Sequence, residues 1–197
     1  MLARLSMPPN PRNARRGGLP AAVLCTSERA LAPPMDTVEG VNVRLALLDE
    51  LEAICDFGAM VIPDHYQPLL GRAAAQAQVD DWWTQERMSR AIDESRVVVA
   101  EEQSEILGVA EWSLYDGVPV VWKLYVHPSR RGEGIEPRLI DAIIDDPPVP
   151  ADHLRVETFA VNRRACSFYE REGFREFRTV EHSNPTLNVI WFERPLD

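Results

Sequence analysis

At 197 residues the chain is long enough for one ordinary domain and a short tail. Its 45% hydrophobic and 26% charged residues exclude a wholly disordered chain, and no stretch approaches the ~20 apolar residues of a membrane span. A net charge of −10 argues against free DNA or RNA as a partner of the whole chain.

The negative charge is unevenly placed. Residues 1–34 hold five arginines (Arg4, Arg12, Arg15, Arg16 and Arg29) against one acid, Glu28. Residues 1–36 are rich in Pro, Arg, Gly and Ala without helical or strand period, and read as a disordered or non-native leader, with Met35 an alternative start. The apolar run Gly18–Cys25 is too short and too soon interrupted by Glu28-Arg29 to serve as a secretory signal. Cys25, Cys55 and Cys166 share no metal-ligand or redox spacing, so the expectation is a cytoplasmic protein without a metal site. Residues 37–197 then form the domain.

In chain order, Val41–Leu45 alternates like a strand and Leu47–Phe57 has helical spacing. Residues 58–95 read as helical but broken at Pro63, Pro68 and Gly71. Arg96–Glu101 and Ile106–Tyr115 form a hairpin, followed by a strand over Val118–Val126. A helix over Glu136–Ile144, a strand over His153–Val161 and a helix over Asn162–Glu172 come next. Asn162 caps that helix and Gly173 stops it. Two runs, Phe174–Val180 and Leu187–Glu193, close the chain. The succession implies an α+β fold, a central twisted mixed β-sheet flanked by helices.

Two blocks carry chemistry. In the first, a β-rich run ends at Pro128 and passes through Arg130-Arg131-Gly132-Glu133-Gly134 into an amphipathic helix. Backbone N–H groups, the positive end of a helix and arginines thus converge, as diphosphate binding requires. It is neither a Walker loop nor a dinucleotide fingerprint, since Pro137 stands where a third glycine belongs. In the second, Asn162 and Tyr169 lie seven apart on one helical face with the small Ala165 between them.

Together the blocks resemble the GCN5-related N-acetyltransferase (GNAT) family. The family's helix motif, Asn-x-x-Ala-x-x-Phe/Leu-Tyr-x-x-x-Gly-Phe, is matched by Asn162, Ala165, Phe168, Tyr169, Gly173 and Phe174. Its loop motif is matched by Arg131 and Gly134, but the final Gly/Ala position holds Glu136.

The resemblance implies a sheet splayed near Val126 and Glu157 with coenzyme A in the gap. Acetyl-CoA is the implied co-substrate, held by Leu124, Val126, Arg131, Gly132, Glu133, Gly134, Ile135, Glu136, Asn162, Ala165 and Tyr169. It further implies direct attack by an amine in a ternary complex, with Tyr169 hydrogen-bonding the departing thiolate. Either Glu157 or Glu111 is the candidate base, or a water chain replaces both. Beside the coenzyme dianion Glu136 should repel it, so its carboxylate is expected to turn toward solvent. Cys166 reads as a small apolar helix residue, His127 as structural, and Lys123 is the only lysine.

The acceptor is expected to be a small-molecule or peptide amine bound by a monomer or homodimer, with neither nucleic acid nor membrane as partner. Tyr66, Trp82 and Trp83 among Asp64, Asp80, Asp81 and Glu86 suit either an amine pocket or a packed helix with an acidic exterior. A non-catalytic acyl-CoA-binding module is the rival reading, favoured by Glu136.

Overall fold

The computed structural model describes residues 40–145 and 151–196; the leader expected over 1–36 lies outside them. Strand β1 (Asn42–Leu45) leads through a short 3-10 turn, tied by the Arg44–Glu50 pair at 2.7 Å, into helix α1 (Leu51–Leu70). Helices α2 (Arg72–Trp82) and α3 (Gln85–Asp93) follow, the latter capped by Thr84. Next come β2 (Val97–Glu102), β3 (Glu105–Tyr115) and β4 (Val118–Val126), joined by tight turns at Gln103-Ser104 and Asp116-Gly117 with positive φ throughout. Positive φ at both central residues matches the right-handed twist of a hairpin. Helix α4 (Ile135–Ile144), β5 (His153–Phe159), α5 (Arg163–Arg171), β6 (Arg175–Val180) and β7 (Val189–Pro195) complete the chain.

Of the three expected breaks after residue 58, only Gly71 ends a helix. Helix α1 runs for 20 residues straight through Pro63 and to Pro68 near its end. Interior proline costs a helix about 3 kcal/mol and one backbone hydrogen bond. Burial of Ile54, Phe57, Val61, Ile62 and Tyr66 along one face offsets that cost.

The seven strands form one sheet in the order β1-β2-β3-β4-β5-β7-β6, a mixed α+β architecture as expected. All neighbours are antiparallel except β4 and β5. Ile135, Leu139, Ile140 and Ile143 of α4 share a core with Cys166 and Tyr169 of α5 and with Val98, Ala110, Val121, Val156 and Phe192 of the strands. Tyr66 of α1 and Trp83, which follows α2, both pack on Tyr125 of β4, with ring centroids 6.4 Å and 5.6 Å apart.

Candidate active site

The parallel pairing of β4 and β5 extends over only two residue pairs, Val120 with Arg155 and Val121 with Val156. The register of β3 against β4 slips at this level: Glu111 faces Lys123 and Trp112 faces Val121, so Trp122 is an extra residue on β4. A bulge of this kind bends its strand and ends regular pairing. Beyond it β4 and β5 part, and a cleft of about 280 Å³ opens between them. The splay therefore starts just before the expected level of Val126 and Glu157.

One end of the cleft is built for an anion. Gly132 and Gly134 hold φ of +83° and +78°, which side-chain-bearing residues seldom adopt, and Gly134 delivers the chain into α4. The first-turn N–H groups of α4 have no helical acceptor, and Pro137 costs nothing there because it has no N–H to lose. Arg131 and Arg164 both line this end; burial, then Arg164, lowers the pKa of the Arg131 guanidinium, and Glu136 opposes that shift. Arg130, by contrast, points elsewhere, engaged by Glu102 at 2.8 Å and Glu133 at 2.7 Å.

Glu136 is not turned outward. Its side chain is 17% exposed, lines the cleft and lies 3.6 Å from the Arg164 guanidinium. The expectation of a solvent-facing carboxylate failed because it considered only repulsion by an incoming dianion. Arg164 enters from the first turn of α5 and supplies the attraction that draws Glu136 inward.

The other end holds the polar groups that could act on a reacting bond. Glu157 projects from β5 into the cleft, and its buried Oε2 has no hydrogen-bond partner among the described residues. Burial raises its carboxyl to a pKa of about 8. Tyr169 reaches the cleft from α5, its ring fixed against Phe168, Phe174 and Phe192, and burial, followed by the neighbouring Tyr66, pushes its hydroxyl well above the ordinary phenol value. It stays a neutral donor at any physiological pH.

Asn162 is 5% exposed and fully engaged. Its Oδ1 accepts the Ala165 N–H at 3.2 Å, and its Nδ2 donates to His65 Nε2 at 3.1 Å. His65 sits on the last full turns of α1; burial, then Arg131 and Arg164, lowers its pKa to about 4, so it is a neutral acceptor there. Beside it, the Tyr66 and Tyr125 hydroxyls lie 3.3 Å apart.

Of the residues expected from sequence, the cleft brings together Leu124, Val126, Arg131, Gly132, Gly134, Glu136, Glu157, Asn162, Ala165 and Tyr169. Three lie apart. Ile135 is fully buried in the core, and Glu133 is paired with Arg130. Glu111 is held on the sheet by Lys123 and, at 3.0 Å, by Arg96, so both oxygens are taken. Trp83 belongs to the core, donating its indole N–H to the Ile54 carbonyl at 2.9 Å, and Trp82 lies under Arg87; of these three aromatics Tyr66 alone lines the cleft. Asp64, Asp80, Asp81 and Glu86 are exposed. His127 Nδ1 accepts the Ser129 N–H as a turn cap, and burial raises the Cys166 thiol above its ordinary value; neither lines the cleft.

The sequence reading missed His65, Arg164, Trp122 and Thr158. Arg164 and Thr158 flank recognised motif residues and carried a positional signal. His65 and Trp122 arrive through tertiary contacts and carried none.

Residues 93–176, which hold the loop, the parting strands and the capped helix, match the family model described as Acetyltransferase (GNAT) domain. Over these residues the chain is similar to the GNAT acetyltransferases.

Solved structures show the same fold at low sequence identity. The PaiA N-acetyltransferase from Thermoplasma acidophilum, in complex with coenzyme A, is 15% identical with a TM-score of 0.66 over 79% of this chain and 98% of that one. A GCN5-related N-acetyltransferase from Rhodopseudomonas palustris is 18% identical, TM-score 0.66, over 82% and 99%. The ribosomal-protein-S18-alanine N-acetyltransferase from Escherichia coli is 16% identical, TM-score 0.60, over 79% and 94%. No curated protein matches the sequence.

GNAT acetyltransferases take their acyl group from acetyl-CoA, and the PaiA structure of the same fold holds coenzyme A. The cleft fits that donor: two arginines, left-handed glycines and a helix N-terminus stand at one end, and a narrow slot between parting strands leads from them. No helix of the described residues is long and apolar enough to cross a membrane, and among them no cluster of His, Cys, Asp or Glu could hold a metal.

Proposed function

We propose that this GNAT domain, spanning residues 37–197, transfers acetyl to a primary amine by direct attack, with Glu157 as base and Tyr169 as hydrogen-bond donor to the departing sulfur. Bound acetyl-CoA supplies an activated thioester. Arg131, Gly132, Gly134 and the start of α4 hold its diphosphate, while Leu124 and Val126 offer the free edge of β4 along the slot.

The single observation carrying this reading is the buried, unpartnered carboxyl of Glu157 in the same cleft as Tyr169. An alkylammonium near pKa 10 must lose a proton before it can attack. Passing it to an ordinary carboxylate near 4.5 costs about 7.5 kcal/mol, whereas a carboxyl at about 8 lowers this to about 2.7 kcal/mol. The empty lone pairs of Glu157 also leave room for the ammonium itself. Tyr169 cannot surrender its proton fully to a thiolate near 8.5, so its contribution is a hydrogen bond that strengthens as charge builds on sulfur.

Glu136 was the reason to consider a non-catalytic acyl-CoA-binding module. Balanced by Arg164, it leaves Arg131 as net positive charge in the loop, and that module has no further support. The acceptor is taken to be a small-molecule or peptide amine and the compartment the cytoplasm, in keeping with free thiols at Cys55 and Cys166.

Release of coenzyme A from acetyl-CoA in the presence of a panel of amines, with the acetylated product identified by mass, tests the proposal. Amine-dependent release that survives truncation after residue 36 is expected. Tight acetyl-CoA binding with no release for any amine would overturn it.

A further inference from the structure

The wall beside Glu157 is aromatic, and besides Tyr66 of α1 its rings come from strands. In the β5–β7 register Trp191 stands directly opposite Glu157, so the two side chains leave the sheet on the same face about 5 Å apart. Trp122, the bulge residue, lines the cleft with Glu157. Its ring meets that of Trp191 at 5.7 Å and 88°, and that of Tyr115 at 6.0 Å and 87°, while Tyr115 and Trp191 stack at 5.8 Å. The Trp122 indole N–H donates to the Ser113 hydroxyl at 2.7 Å, which fixes the ring and leaves its faces as apolar surface. Trp191 is buried beneath this group, whereas Trp122 and Tyr115 remain half-buried. Farther along the same face Arg155 lies over Phe177 and pairs with Glu193, so no free carboxylate is offered there.

Glu157, an unpaired acid flanked by fixed, flat rings, is complementary to one ammonium on an apolar body; Glu172, at the end of α5, is a further cleft carboxylate without an ion pair among the described residues. The ammonium meets Glu157 and the ring faces, and a flat body stacks where water is poorly held. A diamine or polyamine would set its second charge against these apolar ring faces, where the neighbouring strand carboxylate, Glu193, is already paired with Arg155. From this juxtaposition we infer that the acceptor is a primary amine separated by about two carbons from an aromatic body, with Trp122 as the residue that selects it. The inference rests on the proposed N-acetyl transfer at Glu157.

Calorimetry with the full chain saturated with coenzyme A tests it, using phenethylamine and putrescine as probes on wild type, Trp122→Ala and Trp122→Phe. Wild type should bind phenethylamine at least ~10-fold more tightly than putrescine. Trp122→Ala should lose ~10-fold for phenethylamine, and Trp122→Phe should stay within ~3-fold of wild type. Equal or tighter binding of putrescine by wild type overturns the inference, and so does unchanged phenethylamine affinity in Trp122→Ala. The two-amine comparison on wild type and the Phe variant decide the matter even if Trp122→Ala does not fold. Phenethylamine bound as expected but never acetylated would leave the aromatic site standing and sink the transfer reaction; acetylation of putrescine in preference would do the reverse.

Discussion

Tyr169 and Glu136 sit at opposite ends of one cleft, and a single atom or charge removed from each gives a separable effect. Tyr169→Phe keeps the ring that packs on Phe174 and Phe192 and deletes only the hydroxyl. Turnover should fall ~10- to 1000-fold while acetyl-CoA affinity stays within ~2-fold, because the lost hydrogen bond matters mainly as charge builds on sulfur. Steady-state kinetics beside equilibrium binding reads both quantities. Glu136→Gln frees Arg164 from its partner and removes a carboxylate from beside the proposed diphosphate site. Acetyl-CoA should bind ~3- to 10-fold more tightly, and the gain should shrink with added salt, as calorimetry at two ionic strengths would show. At this scale the sequence was informative where chemistry is local. Asn162, Ala165 and Tyr169 recur at fixed helical spacing, so their shared face could be read directly. His65 could not, because its contact with Asn162 joins residues 97 apart in the chain. The inward turn of Glu136 was missed for the same reason, since it depends on a second helix.

At the scale of elements, the segment most poorly read was α1. Pro63 and Pro68 signal helix breaks in isolation, yet α1 continues because its buried face packs against the sheet and Trp83. That packing hinges on Gly58. A Cβ placed there would lie 1.9 Å from the Trp83 indole nitrogen, so nothing larger than glycine fits unless the ring moves. The ring is held by its bond to the Ile54 carbonyl and by Tyr125. Gly58→Ala should therefore destabilise the domain by at least ~2 kcal/mol, despite alanine's better helix propensity. The midpoint of thermal unfolding should drop by roughly 4–8 °C; an unchanged midpoint would mean that Trp83 can repack at no cost. Displacing Trp83 would also loosen Tyr66 and His65 on the next turns, which couples the stability of α1 to the cleft. The succession of strands and the first hairpin were legible because the alternating runs and the polar turn between them specify them locally. The bulge at Trp122 was not, since register is a property of two strands.

At the scale of the molecule, the acidic net charge and the arginine-lined anion site pull in different directions. Composition reported only the first, and it pointed to a cationic acceptor. The parting of β4 and β5 reconciles them: anion-binding groups gather at one end of the cleft, and the unpaired acid and aromatic wall stand at the other. In the proposed transfer Glu157, not Glu111, accepts the proton of the amine. The test is the pH dependence of kcat/KM for the best amine in wild type, Glu157→Gln and Glu111→Gln. A base acts when ionised, and Glu157 ionises as pH rises through about 8, so wild-type activity should climb through that value. Glu111→Gln should keep this limb, because Glu111 is tied to Lys123 and Arg96 outside the cleft. Glu157→Gln should lose the limb, with activity down ~100-fold at pH 8. An undiminished Glu157→Gln enzyme with the wild-type limb intact would contradict the account.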